Sequence, residues 1–152
     1  MNKKLVSIEE LDAKEIKKLV NLARKFKTNN KISTKTIKNK TLALIFQKPS
    51  TRTRLSFEVA MRELGGNSIF LSYADLQLSR GELIKDTSRT LSQYVDIVVI
   101  RTFNNSDILE FAENSSIPVI NALSNTNHPC QALSDIQTII ENKKNIQNLN
   151  IS

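Results

Sequence analysis

Short apolar runs alternate with amphipathic segments along this chain, and that alternation limits the fold more than any other feature. Four runs are rich in branched aliphatic residues: 42–46, 68–71, 97–100 and 118–120. Strands that are apolar at nearly every position are buried on both faces, which is typical of parallel sheets whose crossovers are helices. The sequence therefore predicts an α/β fold with a parallel four-stranded sheet and helices on both faces, in three αβα layers.

Helical spacing of apolar residues fills most of the segments between the predicted strands. Ser7 and Glu10 form a capping-box pattern that predicts the start of a helix running to Phe26, with lysines between its apolar residues and Asn29-Asn30 closing it. Further helices are predicted at 55–64 (ending at Gly65-Gly66), from a cap at Asp86 to Tyr94, at 107–114 and at 131–141. Segments 72–83 and 121–129 are predicted to be loops.

Length and composition favour a globular domain. The 152 residues are 39% hydrophobic and 24% charged, which is enough apolar surface for one ordinary core. No apolar stretch approaches the roughly 18–20 residues of a membrane helix, and the charged start has no apolar block behind it. The single cysteine, Cys130, has no partner for an internal disulfide. We therefore expect a cytoplasmic protein with no membrane partner.

The net charge of +7 comes largely from lysines that crowd the first forty residues. Binding of nucleic acid through them would be salt-sensitive and would need the charge on one face together with stacking aromatics. Aromatic residues make up only 5% and tryptophan is absent. The lysines are therefore interpreted as the solvated side of a helix, and no nucleic-acid partner is expected.

A cluster of hydroxyls and arginines follows the predicted strand at 42–46 and opens the next helix. It comprises Ser50, Thr51, Arg52, Thr53 and Arg54. A helix N-terminus has free N–H groups and partial positive charge, hydroxyls add donors, and a guanidinium adds a forked, charged donor. The simpler alternative is a helix cap followed by two surface arginines, but a cap does not require three hydroxyls interleaved with two arginines. The segment predicts a phosphate site.

Two other polar features stand where strands end. Arg101 directly follows the strand predicted at 97–100, and His128-Pro129-Cys130-Gln131 lies between the last strand and the last helix. Ligands of open parallel sheets bind beyond the carboxyl ends of the strands. Taken alone, a solvent-facing arginine and a structural histidine are the simpler interpretations. Cys130 is interpreted as a packed thiol, and Gln131 can both donate to and accept from an amide.

Four blocks of the chain resemble the aspartate/ornithine carbamoyltransferase family. The blocks are Phe46-Gln47-Lys48-Pro49-Ser50-Thr51-Arg52-Thr53-Arg54-Leu55-Ser56-Phe57-Glu58, Asp75-Leu76-Gln77-Leu78-Ser79-Arg80-Gly81-Glu82, Lys85-Asp86-Thr87 and His128-Pro129-Cys130-Gln131-Ala132-Leu133-Ser134-Asp135. They occur in the family's order, and the resemblance runs over nearly the whole chain. Within the family, Arg101-Thr102-Phe103 and the cysteine at 130 resemble the ornithine branch, since aspartate enzymes tend to have threonine there.

The resemblance implies transfer of the carbamoyl group of carbamoyl phosphate to the δ-amine of ornithine, giving citrulline and phosphate in arginine metabolism. Arg52, Arg101 and His128 are then expected to be catalytic, with the last two on the carbonyl oxygen where charge develops. The residues expected to bind carbamoyl phosphate are Ser50, Thr51, Arg52, Thr53, Gln77, Arg101, His128, Pro129, Cys130 and Gln131.

The resemblance also implies a trimer in which the loop around Gln77 completes the site of a neighbouring subunit. Residues 1–141 are expected to be the carbamoyl-phosphate domain, and 142–152 the start of a linker to an absent domain that grips ornithine. The 152-residue chain alone is expected to be inactive. No cofactor is implied, and one histidine and one cysteine make a poor metal-ligand set.

Two alternatives remain open: transfer to aspartate or another amino acid, and a non-catalytic phosphate-binding fragment.

Overall fold

Five parallel strands form one sheet in the order β1-β5-β4-β2-β3 in the computed structural model, which describes residues 4–28 and 37–143. The strands are β1 (Lys4–Leu5), β2 (Thr41–Phe46), β3 (Asn67–Ser72), β4 (Ile97–Arg101) and β5 (Val119–Leu123). The helices are α1 (Ala13–Thr28), α2 (Thr51–Glu63), α3 (Ile84–Tyr94), α4 (Asn105–Asn114) and α5 (Pro129–Asn142). None of the helices in the described ranges is long and apolar enough to cross a bilayer.

Alternate residues of the central strands point into two separate cores, one on each face of the sheet. Ala43 and Ile45 of β2 pack in the core that contains Ile108 and Phe111 of α4. Their neighbours on β2 pack with Met61 of α2 on the other face. Because successive side chains of a strand point to opposite faces, a strand that is apolar at every position requires cover on both sides. The predicted parallel α/β fold with helices on both faces is confirmed.

The predicted strand count was wrong, because the sheet has a fifth strand at its edge. Lys4 and Leu5 pair with Val119 and Ile120 of β5. A two-residue strand has no periodicity of its own, so the sequence carries no signal for it. The next residue, Val6, holds this strand in place because its side chain is buried in the core.

The predicted start of the first helix was also wrong. Ser7 caps only a short 3₁₀ helix, Ile8–Glu10, and α1 begins at Ala13. The capping box of α1 is formed instead by Asp12 and Glu15, which exchange backbone-to-carboxylate hydrogen bonds of 2.8 and 3.0 Å. The predicted closure at Asn29-Asn30 lies outside the described residues.

The other boundaries moved because polar first turns of helices lack apolar periodicity. The remaining helices begin earlier than predicted, and Asp86 lies in the first turn of α3 rather than capping it. The predicted loop at 72–83 contains two 3₁₀ helices, Tyr73–Asp75 and Gln77–Arg80. The predicted loop at 121–129 is shorter, since its first residues belong to β5 and Pro129 opens α5. Residues 144–152, in the expected linker, lie outside the described ranges.

The strand order reverses between β2 and β4. The chain leaves β2 toward β3 on one side, whereas it leaves β4 toward β5 on the other side. The connections after these two adjacent strands therefore diverge and leave a crevice at their carboxyl ends. In open α/β sheets such a switch point is where ligands bind.

Candidate functional site

The start of α2 forms one side of this crevice. Ser50 is the N-cap of the helix in extended conformation, yet its side chain makes no capping hydrogen bond. Thr51 and Arg52 are exposed and Thr53 is half-buried in the first turn. Arg52 makes no ion pair with any residue in the described part of the chain. The helix start therefore offers free N–H groups, hydroxyls and an unengaged guanidinium at one place.

A cleft of about 780 Å³ opens beside this helix start. It is lined by residues that follow β2, by the first two turns of α2, and by the end of β3 with the segment after it: Phe46, Gln47, Lys48, Pro49, Ser50, Thr51, Arg54, Leu55, Glu58, Phe70, Ser72, Tyr73, Ala74 and Ser79. Arg54 is already engaged within the chain, because its Nε lies 2.8 Å from Glu58 Oε1 and its guanidinium lies 3.6 Å from the Phe70 ring centroid. Arg54 therefore shapes the wall of the cleft.

Arg101 forms the other side of the crevice, at the last position of β4. The register of β4 and β5 shifts between Ile100 and Arg101, and such an irregularity turns the end of a strand. Its Nε is buried and has no hydrogen-bond partner among the described residues. Burial lowers the pKa of the guanidinium from its ordinary value. A buried donor without a partner is costly, and this one lies at the carboxyl edge of the sheet, where ligands of open α/β sheets bind.

His128 is the N-cap of α5 and lies near Arg101. Its Nδ1 accepts a hydrogen bond of 3.3 Å from the backbone N–H of Gln131. With Nδ1 acting as acceptor, the proton of the neutral ring is on Nε2, which is left as a donor. Burial lowers the pKa of His128, the Arg101 charge lowers it further, and the Asp135 carboxylate opposes both effects. The ring is therefore neutral at neutral pH.

Asn121 holds the segment that carries His128, and the sequence alone did not single it out. This side chain is fully buried. Its Nδ2 donates to the carbonyls of Val6 (2.8 Å) and Asn127 (3.4 Å), and its Oδ1 accepts from the N–H of Leu123 (2.9 Å). An amide within a buried strand is the signal that could have revealed it, but the segment was predicted to be loop.

The three residues after His128 occupy the first turn of α5. Pro129 is buried at the first position of the helix, where the missing N–H of proline costs no helical hydrogen bond. Cys130 Sγ lies 3.6 Å from the carbonyl oxygen of Asn121, and burial raises the pKa of its thiol to about 11. The thiol is therefore protonated and packed at neutral pH. Gln131 is exposed, and its Nε2 donates to Asp135 Oδ1 at 2.8 Å, which leaves Oε1 as an acceptor.

Gln77 lies in the segment that follows β3. It is exposed at the start of the second 3₁₀ helix in the 72–83 segment. Leu76 beside it packs against the core, and Ser79 lines the cleft. Ser50 and Thr51 thus line the cleft and Arg101 lies near His128, whereas Gln77 is not among the residues that line the cleft. No group of three or more potential metal ligands occurs within residues 4–28 and 37–143.

A helix start suited to phosphate, beside an arginine and a neutral histidine at a switch point, is the arrangement of α/β domains that bind phosphorylated small molecules. The chain belongs to the aspartate/ornithine carbamoyltransferase family, and residues 3–141 match the family's carbamoyl-P binding domain.

Similar proteins come from several organisms. The chain is 48% identical over 149 residues to an ornithine carbamoyltransferase from Thermococcus kodakarensis, covering 97% of this chain and 47% of that protein. A solved ornithine carbamoyltransferase from Pyrococcus furiosus superposes with a TM-score of 0.90 at 47% identity, over 96% of this chain and 47% of that one. The catalytic subunit of an aspartate transcarbamoylase from M. jannaschii gives a TM-score of 0.83 at 38% identity, over 93% and 47%. The chain spans about half the length of these relatives.

Proposed function

We propose that this chain is the carbamoyl-phosphate half of an ornithine carbamoyltransferase, which transfers the carbamoyl group to the δ-amine of ornithine and releases citrulline and phosphate. The observation that carries the proposal is that two unsatisfied features follow the adjacent strands β2 and β4, on either side of the switch point. These are the open start of α2 at Ser50 and the buried, unpartnered Nε of Arg101. The carbamoyltransferase relatives support this choice of ligand.

The phosphate end of the ligand is assigned to the helix start. Backbone N–H groups of α2 and the hydroxyls of Ser50, Thr51 and Thr53 donate to phosphate oxygens, and Arg52 adds a charge-assisted donor. The Ser50 hydroxyl is free for this because it does not cap the helix. The leaving phosphate gains charge as the bond to the carbonyl breaks, so Arg52 stabilises the transition state more than the ground state.

The carbonyl end is assigned to Arg101 and His128. When the amine attacks, negative charge develops on the carbonyl oxygen, and donors placed there lower the barrier. Arg101 supplies a permanent charge. His128 supplies Nε2–H from a neutral ring whose pKa is lowered by burial and by Arg101.

The carbamoyl amide distinguishes this substrate from other acyl phosphates. Gln131 has its Nε2 engaged by Asp135, so its Oε1 is the group available to accept from the carbamoyl NH₂. Pro129 and Cys130 belong to the same turn and fill the wall behind the ligand. We assign the two of them to packing rather than to proton transfer, because Cys130 is a protonated thiol.

Residues 1–141 would form the carbamoyl-phosphate domain, and 142–152 the start of a linker to a domain that grips ornithine. The assembly is proposed to be a trimer in which Gln77 acts on a neighbouring subunit. Gln77 is exposed and is not among the residues that line the cleft of its own chain, which supports action in trans. The cytoplasmic location stays a prediction.

Calorimetric titration with carbamoyl phosphate tests the proposal directly. The 152-residue chain should bind it, and Arg52→Ala should weaken binding by about 1.5–3 kcal/mol, as for loss of a charge-assisted pair. Arg62→Ala, near the other end of α2, is the matched control and should bind normally. Equal affinity of Arg52→Ala and the unchanged chain would contradict the assignment.

Activity requires the partner domain. Carbamoyl phosphate and ornithine should give no citrulline with this chain alone but rapid citrulline formation with a chain extended by a second domain. Citrulline made by the 152 residues alone, and lost in His128→Ala, would show that the acceptor site lies within this half.

Aspartate is the second candidate acceptor. It is favoured by the similarity to an aspartate transcarbamoylase, which also covers most of this chain. An extended chain supplied with each amino acid separates the two, since only one should yield a carbamoylated product at an appreciable rate. Failure with both, alongside phosphate binding, would support the non-catalytic alternative.

A further inference from the structure

Gln47 links the two halves of the crevice through contacts that no motif predicts. It directly follows β2, whose last residue Phe46 is paired with Arg101 at the end of β4. The backbone N–H of Gln47 donates to the carbonyl oxygen of Arg101 at 2.8 Å. Its side-chain Oε1 accepts from the backbone N–H of Phe103, also at 2.8 Å. One residue thus holds the chain on both sides of Thr102.

These contacts extend the bonding between β2 and β4 beyond the ends of the strands. Lys48 adds to them, because its Nζ lies 4.6 Å from the centroid of the Phe103 ring. Gln47 lies only three positions before Ser50. A rigid connection at Gln47 therefore fixes the distance between the start of α2 and the Arg101 side chain.

We propose that Gln47 is a positioning residue that sets the spacing between the phosphate end and the carbonyl end of the site. This inference rests on the proposed function. Inorganic phosphate needs only the start of α2, whereas carbamoyl phosphate must reach Arg101 as well. Gln47 therefore contributes to the preference for carbamoyl phosphate over phosphate, and it does so without contacting the ligand through its Oε1, which Phe103 occupies.

The experiment measures the ratio of the two affinities in the 152-residue chain and in three variants. Gln47→Met removes the acceptor at similar length, and the ratio should fall about threefold to tenfold, the range for one lost hydrogen bond. The affinity for phosphate itself should change less than about twofold. Gln47→Asn shortens the arm and should lose the same preference, so it carries the test if the methionine variant does not fold.

Gln47→Glu is the variant that separates positioning from ligand contact. A carboxylate still accepts from Phe103 N–H but has no amide NH₂ to offer a ligand. Its added charge weakens both anions alike, so the affinity ratio should stay near that of the unchanged chain. The amide resonance of Phe103 should move in the methionine variant and stay in place in the glutamate variant. The control is Gln93→Met, which lies on α3 near the amino end of β4 and should leave the ratio unchanged.

The outcomes distinguish this inference from the proposed function. An unchanged chain that binds carbamoyl phosphate no better than phosphate refutes the proposed function. A normal preference that survives in Gln47→Met and Gln47→Asn overturns the positioning role. Equal loss in Gln47→Glu and Gln47→Met would show that the amide NH₂ touches the ligand, which also overturns it.

Discussion

Polar groups at the amino ends of β2 and β4 are hydrogen-bonded to each other, whereas two polar groups that follow the carboxyl ends lack such partners among the described residues. At the amino ends, Asp96 accepts hydrogen bonds from Lys40 Nζ at 2.7 Å and from Thr41 N–H at 2.9 Å. These bonds hold the pKa of the Asp96 carboxyl below its ordinary value, and the bond from Lys40 has the largest effect. At the carboxyl ends, Arg101 Nε is buried without a partner within the described residues and the Ser50 hydroxyl does not cap its helix.

The partners of a polar group are therefore a better guide to its role than its residue type. Paired groups at the amino ends hold two strands in register and need nothing from outside. Unpaired groups at the carboxyl ends cost stability, and such a cost persists where a ligand offsets it. If this is correct, substitutions should separate stability from binding according to pairing.

The largest effect is expected at Asn121, which lies near the carboxyl ends but has its hydrogen bonds satisfied. Asn121→Leu keeps the volume but leaves Val6 O and Leu123 N–H buried without partners, so the free energy of unfolding should fall by about 3 kcal/mol. Urea denaturation measures it, with the exposed Asn67→Leu as a control within about 0.5 kcal/mol. A loss of unfolding free energy below about 1 kcal/mol in Asn121→Leu would show that hydrogen-bond pairing does not decide whether a polar residue is structural.

The next largest effect is expected at Gly66, by the amino end of β3. A Cβ there would lie 2.6 Å from Met61 Cε and 2.9 Å from the carbonyl oxygen of Lys40. The methionine can move, but the carbonyl belongs to the backbone that precedes β2. Gly66→Ala should therefore cost about 2 kcal/mol of unfolding free energy, as overpacking does, and leave phosphate affinity unchanged in the folded fraction. Ser68→Ala on β3 is the control, and equal stability of the two variants would refute the close contact.

Pattern alone predicted the fold class and the four longer strands, because apolar runs buried on both faces have few other solutions. It missed β1, which is too short for a period, and it misplaced the start of α1, because Ser7-Glu10 and Asp12-Glu15 both fit a capping box. Only the packed structure shows which box the longer helix uses.

The site was predictable in its residue types and positions along the chain, since Arg101 and His128 each follow a strand. Gln47 lies within the first resembling block, but the sequence did not predict its contacts or those of Asn121, because both join positions far apart in sequence. That the ten predicted residues bind carbamoyl phosphate stays a prediction.

Arg101→Met should have the opposite effect to Asn121→Leu, because stability should be retained and ligand affinity lost. Removing a guanidinium whose Nε is buried without a partner in the described chain should leave the unfolding free energy unchanged or raise it by about 0.5–1 kcal/mol. Carbamoyl phosphate affinity should fall by about 1.5–3 kcal/mol, and the thermal shift that the ligand gives should shrink accordingly. Arg89→Met on the surface of α3 is the control. A large loss of stability would mean that Arg101 is structural and would remove the contrast between the two ends.

The smallest effect concerns pH and is set by His128, the chain's single histidine. The pKa of His128 in the folded chain lies below the ordinary 6.5, because burial lowers it most and the charge of Arg101 lowers it further. The unfolded chain therefore takes up a proton at higher pH than the folded chain. Between the two pKa values the unfolded state binds more protons, and stability rises with pH. Unfolding free energy should therefore be fully retained above about pH 7 and should decline in the window below about pH 6.5. Protonation of Nδ1 would also remove the acceptor that caps α5.

His128→Asn keeps a capping oxygen but cannot titrate, so urea denaturation of this variant should show a flat profile over that window. A midpoint at or above 6.5 for the histidine resonance in the folded chain, or the same decline in His128→Asn, would place the titration elsewhere and remove His128 as a neutral donor.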